Sequence, residues 1–463
     1  MGELIDAGLH ARLPSDVRAI AERLQAAGQR CWIVGGCTRD LLLGRAVHDW
    51  DLATDARPEQ VLKLFRRVIP TGIQHGTVTV MHRGVGYEVT TLRGEGAYSD
   101  ARHPDHVTFV DDIAEDLARR DFTINAIALD PGSGLLTDPF GGRQDLQQQL
   151  IRAVGEPERR FAEDGLRLMR AARFRAVLEF EIEPATMKAM TQRASTLAKI
   201  SAERVRDELL KTLQARRPSM GLDVMLAAGL LDVVLPELCP MVGCEQNRYH
   251  RYDVWTHTMG VVDACRADPV LRMAALLHDV GKPEVRAVSD KTDDYTFYGH
   301  EVSGARIAAR ICARLRMSNH DAERVVHLIR RHLVVYEESW TDAAVRRWLT
   351  RVGLERVDDV LELALADAAG KGTDPTEQRE RIERLRTRVA ELQARGLALS
   401  VRDLAVDGND LMRQLGLSPG RAIGVLLNRL LEAVLEDPSV NTRDGLLALA
   451  ASYARELRES GQH

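Results

Sequence analysis

The chain of 463 residues lacks several features that would assign it to familiar classes of protein. No apolar run approaches the ~20 residues that a membrane-spanning helix needs, so we expect no membrane association. The first residues show no basic stretch followed by an apolar run, so no secretory signal is expected. The pattern Gly-x-x-x-x-Gly-Lys is also absent, which excludes nucleotide binding through a Walker-type loop.

Cysteine and aromatic residues are scarce. None of the 6 cysteines forms a Cys-x-x-Cys pair, and no second pair or histidine set near Cys239 and Cys244 completes a zinc site. We therefore expect reduced, mostly buried thiols and a cytoplasmic location. Aromatic residues make up 5% of the chain, so stacking platforms for single-stranded nucleic acid are not indicated.

The composition is that of a globular protein with several domains. Hydrophobic residues make up 45% of the chain and charged residues 28%. The net charge of -5 argues against a surface that binds nucleic acid throughout. Residues 151–217, however, hold 15 Lys and Arg against 10 Asp and Glu, which suits an RNA-facing surface of limited size.

The hydrophobic pattern predicts an α+β fold in which a small head with a sheet is followed by helices. A helix is expected over residues 15–29, where apolar residues recur at helical spacing. Strands are expected at 31–34, 50–52, 77–82, 87–91 and 124–129. From about residue 147 onward the chain is predicted to be helical almost throughout.

The most informative stretch joins a glycine pair to two aspartates. Gly35 and Gly36 lie between a short buried strand and a predicted helix, where free backbone N–H groups would face an anion. Arg39 could form a bidentate, charged hydrogen bond with a phosphate. Asp49 and Asp51 would point to the same face of a strand. Two such carboxylates can hold Mg²⁺ and align a hydroxyl with a nucleotide triphosphate.

The order Gly-Gly-x-x-Arg-Asp and then Asp-x-Asp-x-x-Thr resembles the nucleotidyltransferase family that shares its palm with DNA polymerase beta. It is most similar to the bacterial tRNA nucleotidyltransferases (CCA-adding enzymes) and their poly(A) polymerase relatives. An aliphatic residue is more usual at Thr38, a departure that changes no proposed ligand. The resemblance implies that Asp49 and Asp51 are catalytic and bind Mg²⁺, and that Gly36 and Arg39 bind the nucleotide.

Residues 119–126, Arg-Arg-Asp-Phe-Thr-Ile-Asn-Ala, resemble the ribose-recognition motif of the same family. The resemblance implies that Arg120, Asp121 and Asn125 contact the sugar and phosphates. An aspartate and an asparagine suit a 2′-hydroxyl, which is both donor and acceptor. Asp121 or Thr123 could also cap the following turn, and both roles can hold together.

Residues 163–174 resemble the Glu-Asp-x-x-Arg element that reads the incoming base in CCA-adding enzymes. Asp164 could accept a hydrogen bond from the amine of cytosine or adenine while Arg167 donates. On one helix these two residues would be neighbours and act as a unit, with Arg170 adjacent. The resemblance also implies a nucleotide contact by Arg173, although helical geometry places this residue on a different face of the helix from Asp164. The alternative is an intrahelical salt bridge on a solvated face.

A second set of candidate ligands begins near residue 246. It resembles the HD phosphohydrolase superfamily, an all-helical metal-binding fold, and implies four ligands: His257, His278, Asp279 and Asp367. A mixed imidazole and carboxylate set suits a transition metal, whose identity the sequence does not give. His300 and His332 lie where two-metal members of the superfamily place further ligands, and the sequence leaves their role open.

The resemblance covers nearly the whole chain and predicts four domains. They are a nucleotidyltransferase head (1–146), a helical neck and body (147–245), an HD domain (246–375) and a tail that contacts tRNA (376–463). The implied function is addition of C, C and A to the tRNA 3′ end from CTP and ATP, with pyrophosphate release and a separate HD phosphohydrolase activity. Mg²⁺ is expected in the head, where Glu88 is a candidate third carboxylate.

Two alternatives stay open from the sequence. The chain could be a poly(A) polymerase or an enzyme that adds only CC or only A, although residues 70–77 resemble the CCA-adding version of that segment. A loop at 93–106 is expected to be mobile, and related enzymes that add only CC lack it. From another class, the chain could be an HD phosphohydrolase whose head only binds RNA, which the intact Asp49 and Asp51 pair disfavours. The oligomeric state is not predicted.

Overall fold

The computed structural model describes residues 3–5, 7–94, 108–396 and 398–459. The chain divides into two compact units, Met1–Cys239 with Arg314–Met317 and Pro240–Ala313 with Ser318–His463. The first unit contains a sheet and helices, and the second is almost entirely helical, which confirms the predicted fold class. The four domain boundaries stay predictions, and most of the predicted loop at 93–106 lies outside the described residues.

An eight-stranded sheet forms the head. Its strands are β1 (Glu3–Leu4), β2 (Cys31–Val34), β3 (Asp51–Thr54), β4 (Val68–Gly72), β5 (Thr77–His82), β6 (Val85–Thr91), β7 (Ala128–Leu129) and β8 (Leu135–Thr137). Their order across the sheet is β1-β8-β7-β2-β3-β6-β5-β4. β3 and β6 run parallel and place Asp51 opposite Glu88. The other neighbouring strands pair antiparallel.

Helices make up most of the rest of the first unit. They are α1 (Ala7–Ala11), α2 (Ser15–Ala26), α3 (Gly36–Leu42), α4 (Pro58–Leu64), α5 (Ile113–Ala118), α6 (Gly142–Gln147), α7 (Pro157–Glu163), α8 (Leu166–Leu178), α9 (Pro184–Arg193), α10 (Ala202–Leu213), α11 (Pro218–Ala227) and α12 (Leu230–Val234). Two short parallel strands, β9 (Leu150–Ile151) and β10 (Glu181–Ile182), interrupt the predicted helical run. The buried residues of α2 recur at helical spacing and anchor it to the core.

The second unit is built from helices α13 to α23 and one short antiparallel pair of strands. The helices are α13 (Val254–Ala264), α14 (Pro269–Leu277), α15 (Lys282–Val285), α16 (His300–Arg314), α17 (Asn319–Arg331), α18 (Asp342–Val352), α19 (Val357–Gly370), α20 (Thr376–Ala394), α21 (Gly408–Leu415), α22 (Arg421–Glu436) and α23 (Arg443–Glu459). The strands are β11 (Ala287–Val288) and β12 (Tyr295–Thr296). In the described part of the chain, no helix is long and apolar enough to cross a bilayer.

Two predicted strands of the head differ from the structure. β3 begins at Asp51 and not at Trp50, because its pairing with β6 starts there. Residues 124–129, predicted as one strand, form a 3₁₀ turn at Thr123–Asn125 followed by β7. The turn forms because Asp121 accepts hydrogen bonds from the Phe122 backbone and the Asn125 side chain, a local alternative to sheet pairing. Further 3₁₀ turns lie at Ile73–His75, Ala194–Lys199, Pro236–Met241, Leu354–Arg356, Val401–Asp403 and Pro438–Val440.

Candidate active sites

The glycine turn lies directly after the fully buried strand β2. Gly35 has φ +79°, and a Cβ atom there would lie 2.9 Å from Nη1 of Arg120. Glycine is therefore needed both for the backbone conformation and for the close approach of the arginine. Arg39, on α3, is buried and donates to Oδ1 of Asn125 at 2.8 Å. The turn thus brings two of the predicted nucleotide-binding arginines beside the central strands β2 and β3.

Three carboxylates gather on and beside the central strands β3 and β6. Asp51, the first residue of β3, lies beside Glu88 of β6, and Asp49 precedes the strand. The prediction that both aspartates lie on one strand is therefore wrong, although Asp49 remains close enough to influence Asp51. Burial and the charges of Glu88 and Asp49 raise the pKa of Asp51, against the lowering effect of Arg120. A divalent cation would reduce the repulsion between such carboxylates, and hard oxygen ligands suit Mg²⁺.

The predicted ribose residues form one hydrogen-bonded network. Asp121 accepts from Nε of Arg170 at 2.6 Å and from Nδ2 of Asn125 at 3.0 Å. Burial alone would raise the pKa of Asp121, but the Arg170 charge and these hydrogen bonds hold it below its usual range. Arg120 is paired with Asp116 at 3.2 Å. Asp121 therefore orients its neighbours and accepts from the backbone of the turn, while its contact with a ribose stays a prediction.

The base-reading element departs from its predicted geometry. Asp164 lies between α7 and α8, and its Oδ1 accepts from the backbone of Leu166 at 3.0 Å. A Cβ atom on Gly165 would lie 2.8 Å from Oγ1 of Thr196, so the chain turns here in close contact with its neighbour. The prediction that Asp164 and Arg167 form a unit on one helix is therefore wrong. The Asp-Gly pair ends one helix, and the Asp164 carboxylate accepts from the first backbone N–H of the next.

Different partners hold the side chains of Asp164 and Arg167, the two predicted base-reading residues. Nη1 of Arg167 donates to Glu163 at 2.7 Å, and its Nη2 donates to the carbonyl of Arg119 at 2.9 Å. Asp164 accepts instead from Nη2 of Arg204 at 2.9 Å. Each side chain is thus fixed by residues from another part of the unit, so their orientation depends on tertiary packing.

A pocket of about 440 Å³ joins these groups. Its lining residues are Gly35, Gly36, Arg39, Asp51, Arg120, Asp121, Asn125, Asp164, Leu166, Arg167, Arg170, Arg173, Phe174 and Arg204. Every predicted nucleotide-binding residue is among them, whereas Asp49 lies outside this lining. Arg173 faces the pocket despite the helical-wheel argument, because its side chain folds over the Phe174 ring at 4.5 Å and pairs with Glu208.

Sequence reasoning missed three residues of this pocket. Leu166 and Phe174 lie within the predicted base-reading stretch, but no role was assigned to them. Phe174 has three arginines over its ring: Arg39, Arg170 and Arg173. Arg204 comes from α10, and no motif in the sequence connects it with the pocket. The only signal was the modest excess of basic residues in 151–217.

The second unit brings all the predicted HD residues together. His257 lies on α13, the adjacent His278 and Asp279 follow α14, and Asp367 lies on α19. Two groups of three have their ligand atoms within 4.8 Å of one another: His257, His278 and Asp367, and Asp279, His300 and His332. The two histidines whose role the sequence left open therefore belong to the same cluster.

Backbone carbonyls fix the ring orientation of three of these histidines. Nδ1 of His278, His300 and His332 lies 2.7–2.8 Å from a carbonyl oxygen three residues earlier, so Nδ1 carries the proton. Their Nε2 atoms then point into the cluster, as lone pairs at His300 and His332, whose pKa values are lowered chiefly by burial. Nε2 of His300 and His332 are 3.2 Å apart, and two lone pairs at that distance repel each other unless a cation lies nearby. Metal-binding histidines are held by hydrogen bonds of this kind.

Charge in the cluster also favours a cation. Burial lowers the pKa of His332 to about 3, which suits a neutral ligand. Burial also opposes the imidazolium at His278, but Asp279 and Asp367 outweigh it and raise the pKa to about 9. Both oxygens of Asp279 are buried without a well-aligned hydrogen bond from the described residues, although Nζ of Lys282 lies 2.6 Å from Oδ2. This donor set fits a transition metal.

A pocket of about 410 Å³ opens onto this cluster. It is lined by Asp279, Asp367, His300 and His332 together with two lysines, Lys282 and Lys371. Nζ of Lys371 lies 3.3 Å from Asp367.

All six cysteines of the chain are free, and five are buried, as predicted.

Three family models match parts of the chain. Residues 31–152 match the poly A polymerase head domain, and residues 179–242 match a probable RNA and SrmB-binding site of polymerase A. Residues 290–450 match tRNA nucleotidyltransferase domain 2. These matches fall on the head, on the helices behind the pocket and on most of the second unit.

A solved structure resembles the chain over almost its full length. The CCA-adding enzyme of Bacillus stearothermophilus, crystallised in complex with CTP, is 30% identical, with a TM-score of 0.74. The alignment covers 96% of this chain and 98% of that enzyme. The chain belongs to the CCA-adding enzyme family. The Thermotoga maritima CCA-adding enzyme complexed with tRNA, 18% identical with a TM-score of 0.56, shares the fold.

Similarity to other CCA-adding enzymes is strongest over a shorter stretch. The enzyme of Levilactobacillus brevis is 49% identical over 213 residues, 46% of this chain and 53% of that protein. The Leuconostoc mesenteroides enzyme is 50% identical over 211 residues, 46% of this chain and 52% of that protein. The chain thus spans about half the length of the curated relatives it matches.

Proposed function

We propose that this chain is a template-independent tRNA nucleotidyltransferase that adds C, C and A to the tRNA 3′ end from CTP and ATP and releases pyrophosphate. The observation that carries the proposal is one pocket that joins the carboxylate of Asp51 to the proposed base-reading residues Asp164 and Arg167. A nucleotide triphosphate could span these two ends. Relatives named CCA-adding enzymes, one of them crystallised with CTP, support the same reading.

Asp49, Asp51 and Glu88 would hold Mg²⁺ in this site. Bound there, Mg²⁺ would neutralise triphosphate charge and activate the attacking 3′-hydroxyl of the tRNA. The protein itself supplies these three carboxylates, whose mutual repulsion favours a cation. Arg120, which crosses the glycine turn beside Asp51, is placed to contact phosphate oxygens.

The remaining pocket residues would bind the sugar and the base. Asp121 and Asn125 are fixed by their mutual hydrogen bond and by Arg170 and Arg39, so they meet a ribose without further ordering. With no template strand, the base must be read by side chains. The Asp164 carboxylate only accepts hydrogen bonds, so it matches the amine of cytosine or adenine and opposes the carbonyl of uracil or guanine.

Incorporation of single nucleotides tests this proposal and its alternatives. The purified protein is incubated with a tRNA transcript lacking CCA, or with one ending in CC, and with each labelled nucleoside triphosphate alone. We expect only CTP to be added to the first transcript and only ATP to the second. Long runs of A on either RNA would indicate a poly(A) polymerase, and A without C would indicate an A-adding enzyme. No incorporation would leave the head as an RNA-binding domain only.

A second activity is proposed for the HD cluster, a metal-dependent hydrolysis of phosphate esters. His257, His278, Asp279 and Asp367 would hold a transition metal, and His300 with His332 would add ligands for a second ion beside Asp279. A bound metal would activate water and polarise the phosphate. Lys282 and Lys371 carry positive charge into the pocket. They would attract phosphates such as 2′,3′-cyclic or terminal phosphates of damaged tRNA ends.

Metal analysis and hydrolysis assays test this second proposal. The protein is purified without chelators, analysed for bound metal, and assayed on phosphomonoesters and cyclic nucleotides with several divalent metals. Bound transition metal together with metal-dependent hydrolysis supports it. Absence of both across all the metals contradicts it.

We also propose contact of residues 376–463 with tRNA, the four predicted domain boundaries and a cytoplasmic location.

A further inference from the structure

Two exposed apolar side chains line the pocket that opens onto the HD cluster, and neither can hold a metal. Tyr298 is 87% exposed and Leu333 is 51% exposed. Tyr298 lies two residues before His300, and Leu333 directly follows His332. Single apolar residues are common on protein surfaces, but two that line one polar pocket offer a surface to a ligand.

The backbone on both sides of Tyr298 has a defined conformation. The preceding residue, Phe297, is buried, and its carbonyl oxygen accepts from Nδ1 of His300 at 2.8 Å. Nζ of Lys282 lies 5.5 Å from the centre of the Phe297 ring. The following residue, Gly299, has φ +78°, a conformation that favours glycine. Tyr298 is therefore carried by an anchored turn that leads directly into the cluster.

The polar groups of this pocket account for a phosphate but not for the apolar side chains. Lys282 and Lys371 supply positive charge, and the cluster offers ligands to a metal. A phosphate gains nothing from contact with an aromatic ring. A nucleobase does, because stacking on an aromatic side chain is favourable for every base. The pocket volume of about 410 Å³ lies within the range of pockets that bind small molecules.

We infer that Tyr298 is a specificity-determining residue of the HD pocket, on which the base of a nucleoside phosphate stacks while its phosphate lies at the cluster. The inference rests on the proposed phosphohydrolase activity and narrows its substrates to esters that carry a base. Leu333 adds apolar surface to the same pocket. Stacking accepts every base, so the pocket distinguishes a nucleotide from a bare sugar phosphate and not one base from another.

The test compares hydrolysis of a nucleotide with hydrolysis of the same ester without its base. The substrates are adenosine 2′- or 3′-monophosphate, whichever the metal-loaded wild type hydrolyses faster, and the ribose phosphate of the same position. We expect the wild type to have a higher kcat/KM for the nucleotide. Tyr298→Ala should lower this preference by about tenfold, through KM, because one base–aromatic stack is lost. Tyr298→Phe should keep the preference, since the ring remains, and kcat/KM for the ribose phosphate should not change in either variant.

Fluorescence gives a second readout, which needs no turnover. The probe is the monophosphate of 2-aminopurine riboside, whose emission is quenched when its base stacks on an aromatic ring. It is titrated with the full-length protein. Tyr298→Ala should lose part of the quenching that the wild type produces, whereas Tyr298→Phe should keep it. A nucleotide bound in the head contributes equally in all variants, so the difference between them reports on Tyr298.

Tyr249→Ala is the matched control, because Tyr249 is an exposed tyrosine of the same unit and does not line the pocket. It should keep both the preference and the quenching. Equal hydrolysis of the two esters by the wild type, an unchanged preference in Tyr298→Ala, or its loss in Tyr298→Phe overturns the inference while the HD activity stands. A wild type that hydrolyses neither ester with any metal overturns that activity, and quenching alone then decides whether a base stacks on Tyr298.

Discussion

The two candidate sites of this chain differ in the atoms that they offer to a metal. The head offers carboxylate oxygens on and beside two central strands of its sheet, from Asp51 and its neighbours Asp49 and Glu88. The second unit offers a buried cluster in which imidazole nitrogens outnumber carboxylates. Oxygen ligands suit Mg²⁺ with bound phosphates, whereas imidazole suits transition metals. The two donor sets would thus suit different cations, in line with the two proposed activities.

The sites also differ in how far they are prepared before a metal binds. Hydrogen bonds to carbonyls hold the histidines of the second unit in their ligating orientation. In the head, the carboxylates repel one another, and the fixed groups are the predicted nucleotide-binding residues such as Asp121. We therefore expect the HD cluster to retain metal through purification and the head to take Mg²⁺ with its nucleotide.

The largest expected effect separates the head from the HD cluster. Asp51→Ala, and likewise Asp49→Ala, should reduce nucleotide addition by more than about a thousandfold, because the metal ligands are lost. Binding of tRNA and hydrolysis by the HD cluster should persist. Asp111→Ala, which removes an exposed carboxylate of the same unit, is the control. A variant that keeps more than roughly a tenth of the addition rate would contradict the metal role.

The converse change should leave the head intact. Asp279→Ala removes the carboxylate that lies between the two groups of histidines, so bound metal and hydrolysis should fall by about a hundredfold or more. Nucleotide addition should stay within about twofold, since the two sites lie in separate units and share no residue. His320→Ala, at an exposed histidine, is the control. Loss of nucleotide addition alongside hydrolysis would break the proposed independence of the sites.

A smaller change tests base selection within the head. Asp164→Ala or Arg167→Ala should lower discrimination against UTP and GTP by about tenfold, the usual contribution of a bidentate base contact. Arg175→Ala provides the control, because Arg175 lies on α8 but does not line the pocket. The measurement is incorporation of each nucleotide on the two tRNA transcripts. Unchanged preference in both variants would refute reading of the base by these side chains.

The smallest effect concerns the packing behind the HD ligands. A Cβ atom on Gly370 would lie 2.5 Å from Val261 and 3.0 Å from the carbonyl of His257, so Gly370→Ala should push α13 and α19 apart. Metal affinity should weaken several-fold, by about 1 kcal/mol. Gly424→Ala is the matched control, because a Cβ atom there meets nothing within 4 Å. Titration of the apoprotein with metal compares the two variants, and equal affinities would show that this contact does not position the ligands.

The sequence predicted those parts of the fold that depend on short segments. The buried strand β2, the glycine pair and strand β5 lie where expected, because hydrophobic runs and glycine turns specify them locally. The position of Asp164 was not predicted. The turn signal at its Asp-Gly pair competed with a helical pattern on both sides, and the contact of Gly165 with Thr196 decides the outcome.

Contacts between distant segments set the limit of prediction at both sites. Arg204 meets Asp164 across 40 residues, and no local pattern reveals that meeting. His300 and His332 were open candidates because a lone histidine carries little information until its neighbours are known. Their place beside Asp279 follows from helix packing and from the hydrogen bonds that orient each ring.

The central claim is that the head of this chain completes the tRNA 3′ end. Sequencing of the RNA product tests it most directly, after incubation of the full-length protein with a tRNA transcript lacking CCA, Mg²⁺, and all four nucleoside triphosphates together. The account predicts that the transcript gains C, C and A and then stops, and that Asp51→Ala leaves it unextended. A product without added nucleotides, or one that ends in a run of A or includes U and G, would contradict the claim.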